Sequence, residues 1–313
     1  MKRIAILGAT SHIAKNLILA FDQFRDYEMS LFARHSDRVV RFLKERQCRN
    51  HGIFQDFSRL YDERYDVVIN CILNFGGKAI HGVSDYELFE VAEFFDNLVI
   101  AYLRRNERCL YINFSSGAVY GGDFEKPVQW EQRAVLPINR ITESEYYQAV
   151  KLYSEVKHRA LPSLNIVDIR VFSFFSRFLS LGSRFFMTEI VNSLLENRVF
   201  ETNDIEIVRD YAHPDDLFRL MVDCIQYERI NTAFDLFSRA PIGKFELLKL
   251  FEREFGLKYR LVEKTIEKST TGIKRVYCSD NRTAGSIGFV PQFTAKETLV
   301  SETRAFLVSS KGD

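Results

Sequence analysis

The sequence predicts an α/β protein, a doubly wound parallel sheet with a smaller C-terminal region, and three observations carry that prediction. Apolar, strand-like runs alternate with helix-like stretches through the first half of the chain, the pattern of strand–helix–strand units feeding one sheet covered on both faces. A glycine turn, LGATSHIA, follows the first of those runs at Gly8, where a doubly wound sheet keeps its phosphate loop. After Ser173 the alternation fails, phenylalanine becomes frequent and the segments shorten.

Taken in order, the strands are read at KRIAILGA, YEMSLFAR, GIFQDFS, YDVVINCIL, CLYINFSS and LNIVDIRVFS. Amphipathic stretches at residues 85–104 and 143–160 are long enough to be crossover helices and carry apolar stripes. Past Ser173 the chain returns through NDIEIVRDYAHPDDL, NTAFDLFS and KRVYCSD to a last helix near residues 294–307. The expected division is residues 1–171, with a return segment at about 212–237, for a dinucleotide-binding domain. Residues 172–211 and 238–313 then build the smaller region that caps the strand ends and holds the substrate.

With 313 residues, 46% of them hydrophobic, the chain can bury a large core, and a formal net charge of +1 gives no reason to expect nucleic acid as a partner. No leading stretch combines a basic end, an apolar run and a small-residue cleavage site, and no 18-residue apolar run could span a bilayer. A cytoplasmic protein with no membrane partner is expected. Cys48, Cys71, Cys109, Cys224 and Cys278 are odd in number and scattered, so reduced, mostly buried thiols are expected. The histidines also stand apart, and no metal site is expected.

A phosphate loop needs close backbone approach to a pyrophosphate and a helix N-terminus to meet its charge. Gly8 fits the first need. Ser11 stands where a second glycine is usual and Ala14 at the third, giving G-x-x-S-x-x-A. The expected cofactor contacts here are Gly8, Thr10, Ser11, His12 and Ile13. The second strand ends at Arg34, about 20 residues beyond the loop, where an acid would accept from the ribose 2′-hydroxyl of NAD. A guanidinium pairs instead with a 2′-phosphate, so NADP(H) is favoured over NAD(H). Asp56, ending the third strand, is placed to accept from the adenine amino group, with Phe57 beside it.

Ser116 closes the fifth strand, and Tyr147-x-x-x-Lys151 follows on a helix. One helical turn puts Tyr147 and Lys151 on the same face, and Glu155 comes round with them. A phenol there can deliver a proton to a carbonyl oxygen, an ammonium beside it favours the phenolate, and a serine hydroxyl can orient the reacting oxygen. The same spacing recurs at Tyr153 and Lys157, and Tyr146 competes with Tyr147 for the inward position, so the motif gains its meaning from context.

In these segments the chain resembles the extended short-chain dehydrogenases/reductases, in particular the NAD-dependent epimerase/dehydratase group that acts on nucleotide sugars. The likeness runs through the GATSHIA loop, DVVINC, Asn97 in NLVIAYL, SSGAVYG, YYQAVKLYSE, DIRVFS, RDYAHPDDL and RVYCSDNRTAGSIGFVP. It implies a Rossmann-type fold, a nucleotide-diphosphate sugar as substrate and a homodimer formed through the two long helices. It implies catalytic roles for Ser116, Tyr147 and Lys151, with Lys151 also holding the nicotinamide ribose, and a substrate diphosphate contact at Arg209. Ser173 stands where many members have Asn, and Ile72 and Leu73 replace the small residues usual after the fourth strand. Leu73 joins the expected cofactor contacts. Ser116, Ser173, Phe174 and Arg209 are the expected substrate contacts. Arg177, Arg184 and Arg275 are further cations able to meet a diphosphate.

Missing residues narrow what the resemblance implies. The 4,6-dehydratases carry an acidic pair after the hydroxyl residue, where Gly117 and Ala118 stand here, and the 3,5-epimerase/reductases of the fucose pathway place a cysteine in that stretch. Hydride chemistry at C4 remains. The first expectation is an NADPH-dependent 4-ketoreductase, the second a 4-epimerase that retains NAD, and the third a non-catalytic NAD(P)-sensing protein, against which the intact Ser116, Tyr147 and Lys151 argue.

Overall fold

The computed structural model describes residues 1–73, 84–122, 124–183, 185–263 and 274–309. Seven parallel strands form its central sheet: β1 (Lys2–Leu7), β2 (Tyr27–Phe32), β3 (Gly52–Phe54), β4 (Val67–Asn70), β5 (Leu110–Ser116), β6 (Ile166–Val171) and, far along the chain, β11 (Asn231–Leu236). Their order is β3-β2-β1-β4-β5-β6-β11, the doubly wound arrangement whose switch point falls between β1 and β4.

Period-two alternation sorts the strand residues onto the two faces. Ile4, Ile6, Val67, Ile69, Ile112, Phe114, Val167 and Ile169 point to one core, where helix α1 (His12–Asp22) contributes Ile13, Ala14, Leu17, Ile18 and Phe21. Ala5, Leu7, Val68, Tyr111 and Ile166 point to the other, covered by α3 (Asp85–Leu103) through Val99, Ile100 and Leu103. Helix α2 (Ser36–Glu45) follows β2. Reciprocal capping boxes start the two long helices. Ser84 and Glu87 start α3, and Thr142 and Glu145 start α4 (Glu143–Arg159), which fixes the turn on which Tyr147 sits.

The C-terminal half adds short strands β7 (Ser173–Phe174), β8 (Phe200–Thr202), β9 (Val208–Arg209) and β10 (Tyr211–Ala212), then β12 (Ile242–Gly243), β13 (Tyr259–Leu261) and β14 (Val276–Tyr277). β7 pairs with β10, β8 with β13, and β9 lies between β12 and β14. Helices α5 (Phe186–Leu195), α7 (Lys244–Phe255) and α8 (Ala295–Ser309) enclose a separate core around Ile190, Val191, Leu248, Phe251 and Leu299. Helix α6 (Pro214–Gln226), opened by a proline at its first turn, packs back on the sheet through Leu217, Leu220 and Met221. None of the five cysteines forms a disulfide, and four of them are buried. No helix among the described residues is long and apolar enough to cross a membrane.

Candidate active site

The site is built at the carboxyl ends of β1, β4 and β5. Gly8 leaves β1 with φ +76°, and a Cβ there would stand 2.9 Å from Cγ1 of Ile72 and 3.0 Å from the Cys71 carbonyl carbon. Glycine is required on both counts. The turn sets Ser11 as the N-cap of α1, where its hydroxyl oxygen accepts from the Ala14 N–H at 3.2 Å. The side chain that replaces the usual glycine is thus turned into the helix, and helical geometry leaves the Ile13 N–H with no intrahelical acceptor. Thr10 is half-buried in the turn, while the Ile13 side chain is buried in the core. His12 reaches across to the C-terminal half, its Nε2 2.6 Å from the Ser176 hydroxyl and its ring edge-on to Phe174. Burial pushes its imidazole down to about 4, so it is neutral at pH 7.

The ends of β2 and β3 are open. Arg34 is exposed just past β2 and makes no ion pair among the described residues. Asp56 is exposed past β3 and accepts from the Ser58 N–H at 2.9 Å, a hydrogen bond that holds its carboxyl below the usual value. Phe57 is half-buried and packs edge-on to Phe95. These residues suit a dinucleotide: a helix N-terminus with free N–H groups, and beyond β2 and β3 an exposed cation and an exposed carboxylate that make no ion pair among the described residues.

At the other end the groups are closed in. Tyr147, Lys151 and Glu155 are all buried on one face of α4, whereas Tyr146 packs edge-on to Phe89 of α3 and Tyr153 is exposed. Tyr147 hydrogen-bonds Ser116. The Lys151 ammonium lies 5.6 Å from the Tyr147 ring centroid and donates to the Phe114 carbonyl at 2.8 Å. Burial, with Tyr277 adding to it, pushes the Tyr147 phenol well above its ordinary range, so it is a protonated acid at neutral pH. Burial pulls Lys151 down to about 8, opposed by Asp168, Asp96 and Glu155. Leu73, buried against Tyr147, Ala118 and Val150, has φ +55°, a conformation that costs a non-glycine residue on the order of 1 kcal/mol.

Sequence reasoning missed Tyr277. Its hydroxyl lies 3.1 Å from the Ser116 Oγ, which also accepts from the Ala118 N–H at 3.2 Å, so one serine is shared by two phenols. The only local signal is an aromatic residue in a two-residue strand. Below it, Arg170 binds Glu155 at 2.6 Å and the Tyr120 hydroxyl at 2.8 Å, and Tyr120 and Ser279 both donate to Asp235. This network ties α4, β6, β11 and the Tyr277 segment into one floor.

Gly117 explains why no acid follows Ser116. A Cβ there would fall 2.5 Å from the ring of Phe172, itself buried between Tyr120 and Tyr277. Arg209 lies with its guanidinium carbon 5.9 Å from the Tyr277 ring centroid, donating to the carbonyls of Val208 and Arg275. Lys274 stands over the same ring at 4.3 Å, and burial, with Arg209 adding to it, pushes its ammonium down to about 7. Ser173 is half-buried in β7, opposite Tyr211, and Phe174 belongs to the main core. Of the other cations, Arg177 is committed to Glu302 at 2.6 Å, Arg275 is exposed, and Arg184 lies outside the described residues.

A seven-stranded doubly wound sheet with a hydroxyl, a phenol and an ammonium gathered at its switch edge defines an oxidoreductase of the extended short-chain dehydrogenase/reductase class. Residues 4–235 match the profile of the NAD dependent epimerase/dehydratase family, and the chain belongs to that family. No curated protein sequence matches it significantly. Among similar solved structures is a UDP-glucuronic acid 4-epimerase from Bacillus cereus, with a TM-score of 0.79, 15% identity and coverage of 98% of this chain and 99% of that one. A UDP-glucose 4-epimerase from Thermotoga maritima gives 0.78, 16%, 99% and 99%. A dTDP-glucose 4,6-dehydratase from Bacillus anthracis gives 0.78, 12%, 100% and 98%. Identities this low speak for the shared fold.

Proposed function

We propose that the chain reduces the 4-keto group of a nucleotide-diphosphate sugar to the alcohol, using NADPH. The observation that carries this reading is the protonated phenol of Tyr147 held against Ser116, with Lys151 on the next turn and no acid after the serine. Bound NADPH supplies a hydride to C4. Tyr147 gives its proton to the C4 oxygen, Lys151 stabilises the phenolate left behind, and Ser116, braced by the Ala118 N–H and Tyr277, orients that oxygen. Phe172 packed over Gly117 leaves no room for the acid that water elimination needs. Arg209 meets the substrate diphosphate and Arg34 the 2′-phosphate of NADPH.

In the same reading, residues 1–171 and 212–237 hold the cofactor, and 172–211 with 238–313 hold the sugar. A homodimer through α3 and α4 is supported by their exposed Tyr86, Phe94, Tyr153 and Val156, a patch of the kind that marks protein interfaces. The test is consumption of NADPH in the presence of UDP- or dTDP-4-keto sugars, with equimolar alcohol as product. A 4-epimerase retaining NAD is the second reading, favoured by the UDP-sugar 4-epimerases among the similar structures. It predicts interconversion of 4-hydroxy epimers without net NADPH consumption.

A further inference from the structure

Three groups converge on the Ser116 hydroxyl: the Ala118 N–H at 3.2 Å, the Tyr277 hydroxyl at 3.1 Å and Tyr147. A serine hydroxyl has one hydrogen to give and two lone pairs to fill. The Ala118 N–H can only donate, so it takes one lone pair. The two phenols divide the other lone pair and the hydrogen between them. Which phenol takes which decides whether Tyr147 spends its proton on the serine.

The surroundings of Tyr277 settle the direction. Its ring is buried, and burial, opposed by Ser116 and Arg209, pushes its phenol up to about 12, so it carries its hydrogen at neutral pH. Among the described residues that hydrogen has one acceptor within reach, the Ser116 Oγ. Were the serine to donate instead, a buried O–H would be left with no partner among them, a state that folded proteins avoid. The ring cannot easily swing away. Tyr277 of β14 lies opposite Arg209 of β9, Phe124 meets its ring edge-on at 5.0 Å, and Phe172 packs on it at 5.0 Å. Lys274 and Arg209 lie 4.3 and 5.9 Å from the ring centroid, and the Arg209 charge favours loss of the phenol proton, which strengthens the O–H as a donor. With Ala118 and Tyr277 filling both lone pairs, the serine's hydrogen is directed at Tyr147. Tyr147 then accepts from Ser116, and its own hydrogen is not committed to the serine.

We propose that Tyr277 is a positioning residue that sets the direction of a hydroxyl chain, Tyr277 to Ser116 to Tyr147, and so keeps Ser116 a donor and the Tyr147 proton available to the reacting oxygen. Removing the Tyr277 hydroxyl opens a lone pair on Ser116 to the Tyr147 O–H, which then donates to the serine and withholds its proton. This role rests on Tyr147 acting as the acid, but its first test needs no substrate.

The experiment is a double-mutant cycle of Tyr277→Phe, which keeps the ring and removes the hydroxyl alone, and Ser116→Ala. Ser116→Cys, close in size and only a weak hydrogen-bonding group, is a second variant that breaks the link. In protein labelled with carbon-13 at tyrosine Cζ, the Tyr147 resonance is assigned by its loss in Tyr147→Phe. Tyr277→Phe is expected to shift that resonance, because Tyr147 changes from acceptor to donor toward Ser116, and to shift it no further once the serine hydroxyl is gone. In turnover, Tyr277→Phe is expected to lower kcat about tenfold with KM within about twofold, and to add nothing in the Ser116→Ala or Ser116→Cys background. A Tyr147 resonance unmoved by Tyr277→Phe overturns the proposal, and so does a shift of the same size with and without the serine hydroxyl, which would make Tyr277 a packing residue. A Tyr147 shift that needs Ser116, in a protein that reduces no 4-keto sugar, leaves the hydroxyl chain standing and sinks the reductase reading instead.

Discussion

The two ends of the cofactor edge are built on opposite principles. At the catalytic end Ser116, Tyr147, Lys151 and Tyr277 are buried and held by one another and by the floor of Arg170, Glu155 and Asp235. At the adenosine end Arg34 and Asp56 stand exposed, with no ion pair among the described residues. In the proposed reading, burial makes the first end a preorganised reaction centre, where each charge is set by its protein neighbours. In the same proposed reading, exposure makes the second a selector that acts only when a ligand brings the complementary charge. Substitutions at the catalytic end should therefore alter rate and stability, and those at the adenosine end should alter ligand choice alone.

The largest break in that contrast is Tyr147→Phe. It should cut turnover by about a thousandfold while leaving cofactor affinity within about twofold, measured by initial rates beside a fluorescence titration with NADPH. A parallel loss of cofactor affinity would mean that the phenol works in binding. The buried charges should next show themselves in stability against pH. His158, between Asp168 and Asp96 with Lys157 beside Asp96, titrates at about 9 in the fold against an ordinary 6.5, so its contribution is complete below about 6.5 and is lost as pH rises through 9, about 3 kcal/mol in all. His12 works in the other sense. Its folded value of about 4 means stability is lost as pH falls below about 6.5. Urea midpoints across this range should peak near neutrality, and Lys157→Gln and His12→Phe separate the two limbs.

Gly117→Asp should destabilise by about 2 kcal/mol, because a side chain must displace the Phe172 ring and bury a carboxylate; denaturant unfolding measures it. An unchanged midpoint would show that Phe172 yields and that the missing acid is no steric matter. Smallest is Arg34→Asp, which should shift preference from NADPH toward NADH by about tenfold with stability unchanged.

The contrast also explains how much of the molecule could be read from the chain. Strand alternation and helix phase are local, and they made the six leading strands, the inward face of α4 and the glycine turn legible. Partner choice across the fold is not local. Tyr277 meets Ser116 from 161 residues away, and Arg177, open to a diphosphate in the sequence, is taken by Glu302 from 125 residues away. His158 looks like a solitary histidine because one of its acids is 62 residues distant. Ser11 stands where a second glycine is usual, and only the structure shows its hydroxyl turned inward to cap α1. Leu73 gives no local sign of its left-handed backbone.

Net reduction with an exchanging cofactor is the central claim, and the nucleotide carried by the purified protein tests it most directly. Denaturing the protein should release no dinucleotide, and the intact protein should bind NADPH in preference to NADH. Stoichiometric retained NAD, with no further binding of added cofactor, would contradict the reductase and establish the retained-cofactor epimerase in its place.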